Sequence, residues 1–348
     1  MKFPDSDPSI IDSTESGSDD ESQHEKKTEP TLTYHAPWQV YGLSWCEKPD
    51  TFTLAIGSYT EQLKNQMQII DFNEENQQFS VVSTFEQFYP PTKIKWIPHI
   101  ANTPNLLAST SDSLRLWESK DDNVELRCEM KSNPSMEHSA PLTSFDWSKQ
   151  DPRIIGTSSI DTTCIIWDIE TQTTTTQIIA HDKEVYDIAF FGGNNSVFGS
   201  VGADGSFRMF DLRRLEHSTI MYESANFNPI ARLAWNNRDF FYVALILLDQ
   251  QKVEILDIRS PSLPIATLDR HEDSVNAISW APHSSCHICS CGDDSQVYIW
   301  DISTIPNPIE DPFLRYFSNS PINQIEWSPS NNEWIAIASD STVQALRI

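Results

Sequence analysis

The sequence predicts an all-β fold, a seven-bladed β-propeller. Three observations predict it: a strand-length apolar pattern recurs seven times, the copies lie about 45 residues apart, and bulky residues return to the same two places in each copy.

The first recurring position closes an alternating strand, as in Leu43-Ser44-Trp45, Ile94-Lys95-Trp96 and Phe145-Asp146-Trp147. It continues at Phe190, Trp235, Trp280 and Trp327, with intervals between 43 and 51 residues. The second ends another alternating strand, at Ile70, Trp117, Trp167, Phe210, Leu256, Trp300 and Leu346, with intervals between 43 and 50. An aspartate follows it in five copies: Asp71, Asp168, Asp211, Asp257 and Asp301. Between the two lies a strand of small and apolar residues that leads into an acid-containing turn. Ile154-Ile155-Gly156-Thr157-Ser158 and Trp334-Ile335-Ala336-Ile337-Ala338 are examples. One blade cannot cover both its faces, and radial stacking does so. This accounts for the tryptophans: six of the 11 occupy the first position and three the second, leaving Trp38 and Trp334. They read as scaffold rather than as a ligand-stacking box. Glycine is scarce at 10, so the tight turns must use Asp, Asn and Ser in its place.

Closing the ring needs one more strand. The sequence ends at Ile348, directly after the third strand of copy seven, while Thr31-Leu32-Thr33-Tyr34-His35 has strand character and no copy of its own. The expectation is that this segment pairs with the last blade. Residues 1–30 differ from the rest, with nine acids, three lysines, six serines and almost no large apolar side chains. Such a segment cannot bury enough surface to offset its ordering entropy. It reads as a disordered acidic tail preceding a propeller over 31–348. Ser16 and Ser18 each have an acid three positions on, which suits an acid-directed kinase.

The chain carries 50 acidic and 24 basic residues, a formal net charge of −26. The tail's nine acids and three lysines contribute −6 of this, leaving −20 on the ring. A phosphate-binding surface needs a basic excess, so direct nucleic-acid binding is excluded, and an anionic membrane surface is disfavoured for the same reason. The longest apolar run, residues 240–248, is nine residues, well short of the ~20 that span a bilayer. No secretory leader is visible, and the six cysteines form no compact framework, so nucleus and cytoplasm are the expected locations.

The endings Trp167-Asp168 and Trp300-Asp301, with His181 and His271 upstream of their repeats, resemble the WD40 class. Longer strings narrow the likeness, among them Ala140-Pro-Leu-Thr-Ser-Phe-Asp-Trp147, Ala180-His-Asp-Lys-Glu-Val-Tyr-Asp-Ile-Ala-Phe190 and Trp280-Ala-Pro-His-Ser-Ser-Cys-His-Ile-Cys289. They resemble the small WD40 scaffold family that contains animal Han-eleven (the damaged-DNA-binding-protein- and cullin-associated factor seven) and plant Transparent Testa Glabra. The resemblance spans about 31–348 and is strongest from 140 to 302. It implies a buried tetrad, His271, Ser290, Asp294 and Trp300 in copy six. In copy four only His181 and Asp204 match clearly, with Phe210 in the tryptophan's place. It further implies a non-enzymatic adaptor without a cofactor, whose partners are protein kinases and transcription regulators. A second implication is a substrate receptor that meets a cullin-ligase adaptor through Asp-x-Arg endings. Asp211-Leu212-Arg213 and Asp257-Ile258-Arg259 fit that pattern, although Phe210 and Leu256 replace the preceding Trp. The alternative for Arg213 and Arg259 is a turn or inter-blade salt bridge.

The sequence contains no phosphate-binding Gly-rich loop, no His-Glu-x-x-His and no nucleophile elbow. The string holding His283, Cys286, His287, Cys289 and Cys291 looks like a metal cluster. On one extended strand, alternation sends His287, Cys289 and Cys291 to one face and Cys286 to the other, so no metal site is expected. Function is therefore expected on the loops. The turns before each first strand and after each small-residue strand share one end of the channel. Polar candidates there are Asp182, Lys183, Glu184, Tyr186, Asp204, Arg208, Arg232, Glu272, Asp273, Asn276 and Asp293. Their acidic majority suits a basic partner segment with some apolar anchors.

Overall fold

Seven four-stranded antiparallel sheets form the molecule, and each sheet corresponds to one repeat of the sequence. The computed structural model describes residues 31–348 apart from 62–63, 74, 101–103, 121–122, 132–139 and 195. The tail assigned to 1–30, with Ser16 and Ser18, lies outside the described residues.

Innermost strands run Val40–Trp45, Lys93–Trp96, Leu142–Trp147, Val185–Phe190, Ile230–Trp235, Val275–Trp280 and Gln324–Trp327. Each ends on the first register residue. The second strands, such as Ile154–Ser159 and Trp334–Ser339, are buried at all but their first residue. Both faces of that strand meet a neighbouring blade, which is why it reads as small and apolar instead of alternating.

The core is not central. Seven apolar clusters are present, and each draws its members from two adjacent blades. The seam between blades seven and one carries Leu54, Ile56, Ala336 and Val343. There the segment Thr31–His35 pairs antiparallel with Thr342–Arg347 in the order Thr31↔Leu346 to His35↔Thr342. It is the outer strand of blade seven, so the N-terminal strand closes the ring. Trp38 and Trp334 pack at the same seam, Trp334 edge-on to Phe52 at 5.1 Å.

Polar clasps reinforce the seams. The residue just before the register aromatic often accepts the main-chain N–H of the next blade's register residue. Ser44 accepts from Trp96 at 3.4 Å, Asp146 from Phe190 at 2.8 Å, Ser279 from Trp327 at 3.1 Å, and Glu326 from Trp45 at 2.6 Å. Several tryptophans answer in the reverse sense. The Trp45, Trp147 and Trp280 indoles donate to the main-chain carbonyls of Glu326, Lys95 and Ala234 at 3.1, 3.4 and 3.0 Å. Trp96 Nε1 is buried without a partner among the described residues.

Left-handed backbone marks the turns after six of the second strands, at Lys64 (φ 112), Thr162 (φ 74), Gly205 (φ 74), Asp249 (φ 55), Ser295 (φ 61) and Asp340 (φ 51). Only one is glycine. At Gly205 an added Cβ would lie 2.6 Å from the Phe227 carbonyl carbon, so that position also needs the space.

Candidate functional site

Strand direction decides which loops meet. In an antiparallel four-stranded blade, the start of the first strand, the end of the second, the start of the third and the end of the fourth share one edge. Main-chain hydrogen bonds tie these loops around the ring: Val40 N–H to Asp340 O at 2.7 Å, Leu142 to Ser111 at 2.7 Å, Val275 to Gln250 at 3.0 Å and Ile322 to Gly292 at 3.1 Å. They surround the mouth of a channel of about 250 Å³ lined by the first strands.

Two buried histidines fix the loops of blades four and six. His271 Nδ1 lies 2.8 Å from Asp294 Oδ2, and Nε2 lies 2.8 Å from Ser290 Oγ, which accepts from Trp300 Nε1 at 2.9 Å. A carboxylate only accepts, so the chain is directed from Trp300 through Ser290 and His271 to Asp294. Asp294 also accepts the Glu272 N–H at 3.0 Å, which ties the approach loop to the turn. Burial alone would raise the Asp294 carboxyl, but the hydrogen bond from His271 holds it below the usual range. In blade four, His181 contacts Asp204 at 3.0 Å and Ser200 at 2.8 Å. Ser206 adds a bond to Asp204 at 2.7 Å, and Phe210 stacks on Phe198 where a tryptophan would have donated.

The eleven polar candidates do not behave as one group. Asp182, Lys183, Glu184, Glu272, Asp273 and Asp293 are exposed on the mouth loops. Arg208 is occupied: its guanidinium bonds Asp182 at 2.7 Å, Asp204 at 3.0 Å and the Ala180 carbonyl at 3.3 Å. Asn276 bridges Asp293 at 2.7 Å and the Ile322 carbonyl at 2.9 Å, linking blades six and seven. Tyr186 is half-buried, and desolvation raises its hydroxyl pKa. Arg232 lies in the channel wall with Lys93, Lys95, Asp146, Asp187 and Glu326.

Asp211, Arg213, Asp257 and Arg259 lie on the opposite face, in turns after the third strands. Arg213 folds back on Asp211 at 2.6 Å, and Arg259 on Asp257 at 2.6 Å with its guanidinium over Phe241 at 4.5 Å. Hydrogen bonds from Arg213 hold the Asp211 carboxyl down at about 2. Both arginines stay more than half exposed while engaged within their own turns.

Missing from the sequence reading are the apolar residues of the mouth face. Tyr59, Phe88, Tyr89, Ile160, Phe227 and Leu248 all stand exposed in its loops. Phe88 and Tyr89 pack edge to face at 4.9 Å beside a groove of about 540 Å³ that includes Arg115, Glu129 and Pro141. Phe227 is 63% exposed, and both it and Asn226 hold left-handed backbone (φ 55 and 59) over the turn at Gly205. An aromatic presented to solvent at conformational cost makes Phe227 a candidate contact residue. The available signal was their place in turns, where neighbouring copies use Asp and Ser.

The model of the WD domain, G-beta repeat, matches residues 131–168 and 262–301. A DDB1- and CUL4-associated factor 7 homolog of Dictyostelium discoideum is 55% identical over 320 residues, covering 91% of this chain and 98% of its own length. The chain belongs to this WD-repeat family. Two further WD repeat-containing relatives are more distant. An uncharacterized one from Schizosaccharomyces pombe is 38% identical over 83% of this chain and 73% of its own. One from Saccharomyces cerevisiae is 36% identical over 78% and 58% respectively. The factor-seven family match spans nearly the whole ring, so the blades outside the two matched repeats belong to the same unit.

Proposed function

We propose that this family member is a non-enzymatic scaffold of nucleus and cytoplasm that docks protein partners on the channel-mouth face. The observation that carries the reading is that exposed aromatics and exposed acids share the mouth face of a rigid ring. Anchors such as Phe88, Tyr89 and Phe227 supply apolar contact area, while Glu184, Glu272, Asp273 and Asp293 select basic segments. Protein kinases and transcription regulators are the partner classes that the family resemblance supports. The test compares partner capture by the wild-type chain and by Phe88→Asp/Phe227→Asp, at low and high salt. Loss of kinases or regulators from the variant is expected, together with salt sensitivity in the wild type. Unchanged capture by the variant overturns the choice of face, and a salt-insensitive partner overturns the electrostatic part.

A second reading, substrate receptor of a cullin ligase, is supported by the name of the Dictyostelium relative and by the two exposed Asp-x-Arg turns. These lie on the other face, so the readings are separable. Charge reversal at Arg213 and Arg259 abolishes DDB1 pull-down if the turns contact it and leaves kinase capture intact.

A further inference from the structure

The string with five His and Cys residues, expected to carry no metal site, is divided by the fold, and one part of it recruits a distant partner. Cys289 and Cys291 are fully buried in the seam between blades six and seven, where desolvation pushes both thiols well above their usual range. They cannot reach an ion at the surface. His283 packs against Trp327 at 5.6 Å. Cys286 precedes the second strand of blade six, which begins at His287. Alternation therefore does not apply to Cys286, and its thiol lies beside His287 rather than across the strand from it.

Asp301 is the cross-strand partner of His287. The ligand atoms of Cys286, His287 and Asp301 all lie within 4.8 Å of one another, and all three residues are half-buried. The separation of Cys286 Sγ from His287 Nδ1 is 3.6 Å. A tetrahedral zinc ion with Zn–S of about 2.3 Å and Zn–N of about 2.0 Å sets these atoms about 3.5 Å apart. The atoms thus already stand at the spacing of one edge of a zinc tetrahedron.

Supporting contacts hold the three in place. Asp301 Oδ1 accepts the Ser303 N–H at 2.8 Å, which fixes the carboxylate. The Ile302 N–H donates to the Cys286 carbonyl at 2.8 Å, tying the loop before one strand to the end of the next. The Cys286 N–H donates to Ser284 Oγ at 3.2 Å. That hydroxyl also lies 2.7 Å from His287 Nδ1 and 3.3 Å from Cys286 Sγ.

We propose that Cys286, His287 and Asp301 form a surface site for one divalent zinc ion, with water completing the fourth position. One soft thiolate, one imidazole and one carboxylate match zinc better than magnesium or calcium, which take oxygen ligands. On binding, the Cys286 S–H bond breaks and its proton leaves to solvent. The sulfur–zinc bond forms, and Nδ1 exchanges the Ser284 hydroxyl for the metal. No electrons are transferred. The site lies on the face opposite the channel mouth, so it is independent of the docking surface proposed above.

The experiment uses the full chain titrated with cobalt as a spectroscopic stand-in and with zinc in competition. Stoichiometric cobalt is expected to give a thiolate-to-metal charge-transfer band and visible bands of tetrahedral intensity, displaced by one zinc per chain. Cys286→Ala abolishes the charge-transfer band, and Asp301→Asn weakens zinc binding by at least roughly ten-fold. Cys128→Ala, at the half-buried thiol of another blade, leaves the band intact. A variant-free arm measures alkylation of Cys286 in the wild-type chain, which zinc suppresses and magnesium does not. Absence of the band, its survival in Cys286→Ala, or equal alkylation with and without zinc overturns the site. In that outcome the cluster is a hydrogen-bonded turn only.

Discussion

Glu326 occupies the clasp position at the seam where the ring closes, and its carboxylate is the natural place to perturb. Oε2 accepts the Trp45 N–H at 2.6 Å from the neighbouring blade. Burial pushes its carboxyl up from the ordinary 4.5 to about 7, against the pull of the Trp45 N–H and the Lys95 ammonium. The folded state therefore holds this proton more tightly than the unfolded chain does. Its favourable contribution is complete below about pH 4.5 and is lost as pH rises through about 7. At ~1.4 kcal/mol per pH unit, the interval is worth about 3 kcal/mol. The side chain is half-buried in the channel wall, which makes that an upper bound. Glu326→Gln keeps an acceptor for the Trp45 N–H and removes the charge. It should match the wild type near pH 5 and exceed it above pH 8. At roughly 2 °C per kcal/mol for a chain of this size, the gain reaches at most ~6 °C. Thermal unfolding of both proteins across that pH range is the assay. A difference that stays constant from pH 5 to 8.5, or a variant that loses stability as pH rises, refutes the reasoning.

Removal of residues 30–36 takes away the outer strand of blade seven and should lower the unfolding temperature of the whole ring; equal temperatures for 37–348 and 1–348 would show that closure does not depend on it. Trp45→Phe and Trp96→Phe remove the same buried bulk, yet only Trp45 has an indole partner, so Trp45→Phe should cost about 1 kcal/mol more by denaturant unfolding. Thr162 is a β-branched residue at φ 74, and Thr162→Gly should stabilise by up to about 1 kcal/mol, whereas Gly205→Ala should destabilise because its Cβ meets the Phe227 backbone.

The seven blades and the closing strand were legible because each depends on a pattern repeated along the chain. A tryptophan at one register place means the same thing in every copy. The clasps were not legible, for a geometric reason. Ser44, Asp146, Ser279 and Glu326 fill the polar slot of an alternating strand, which sequence reads as solvent-facing. Only the curvature of the ring turns that slot toward the next blade's backbone. The candidate site shows the same limit. Arg208 reads as a free loop-edge cation, but Asp182 lies 26 positions away and no local rule pairs them. Cys286 and Asp301 are likewise brought together only by strand pairing. Phe227 was not singled out because an isolated apolar residue in a turn carries no period.

The formal charge of the ring is a poor measure of the field a partner meets. Lys93, Lys95, Arg115, Arg208, Arg213, Lys252 and Arg259 are each paired with an acid of this chain. Inside the channel Lys93 pairs with Asp187 and Lys95 with Asp146, and on the far face Arg213 pairs with Asp211 and Arg259 with Asp257. Exposed acids on the mouth loops of blades four and six include Glu184, Glu272, Asp273 and Asp293. Phe88 and Tyr89 stand some blades away, at the groove of blades two and three. A partner that uses both regions must span the mouth, with basic residues at one end and apolar anchors at the other. On the docking proposed above, salt acts mainly on its association rate through the acidic loops, while the aromatic groove sets how long it stays.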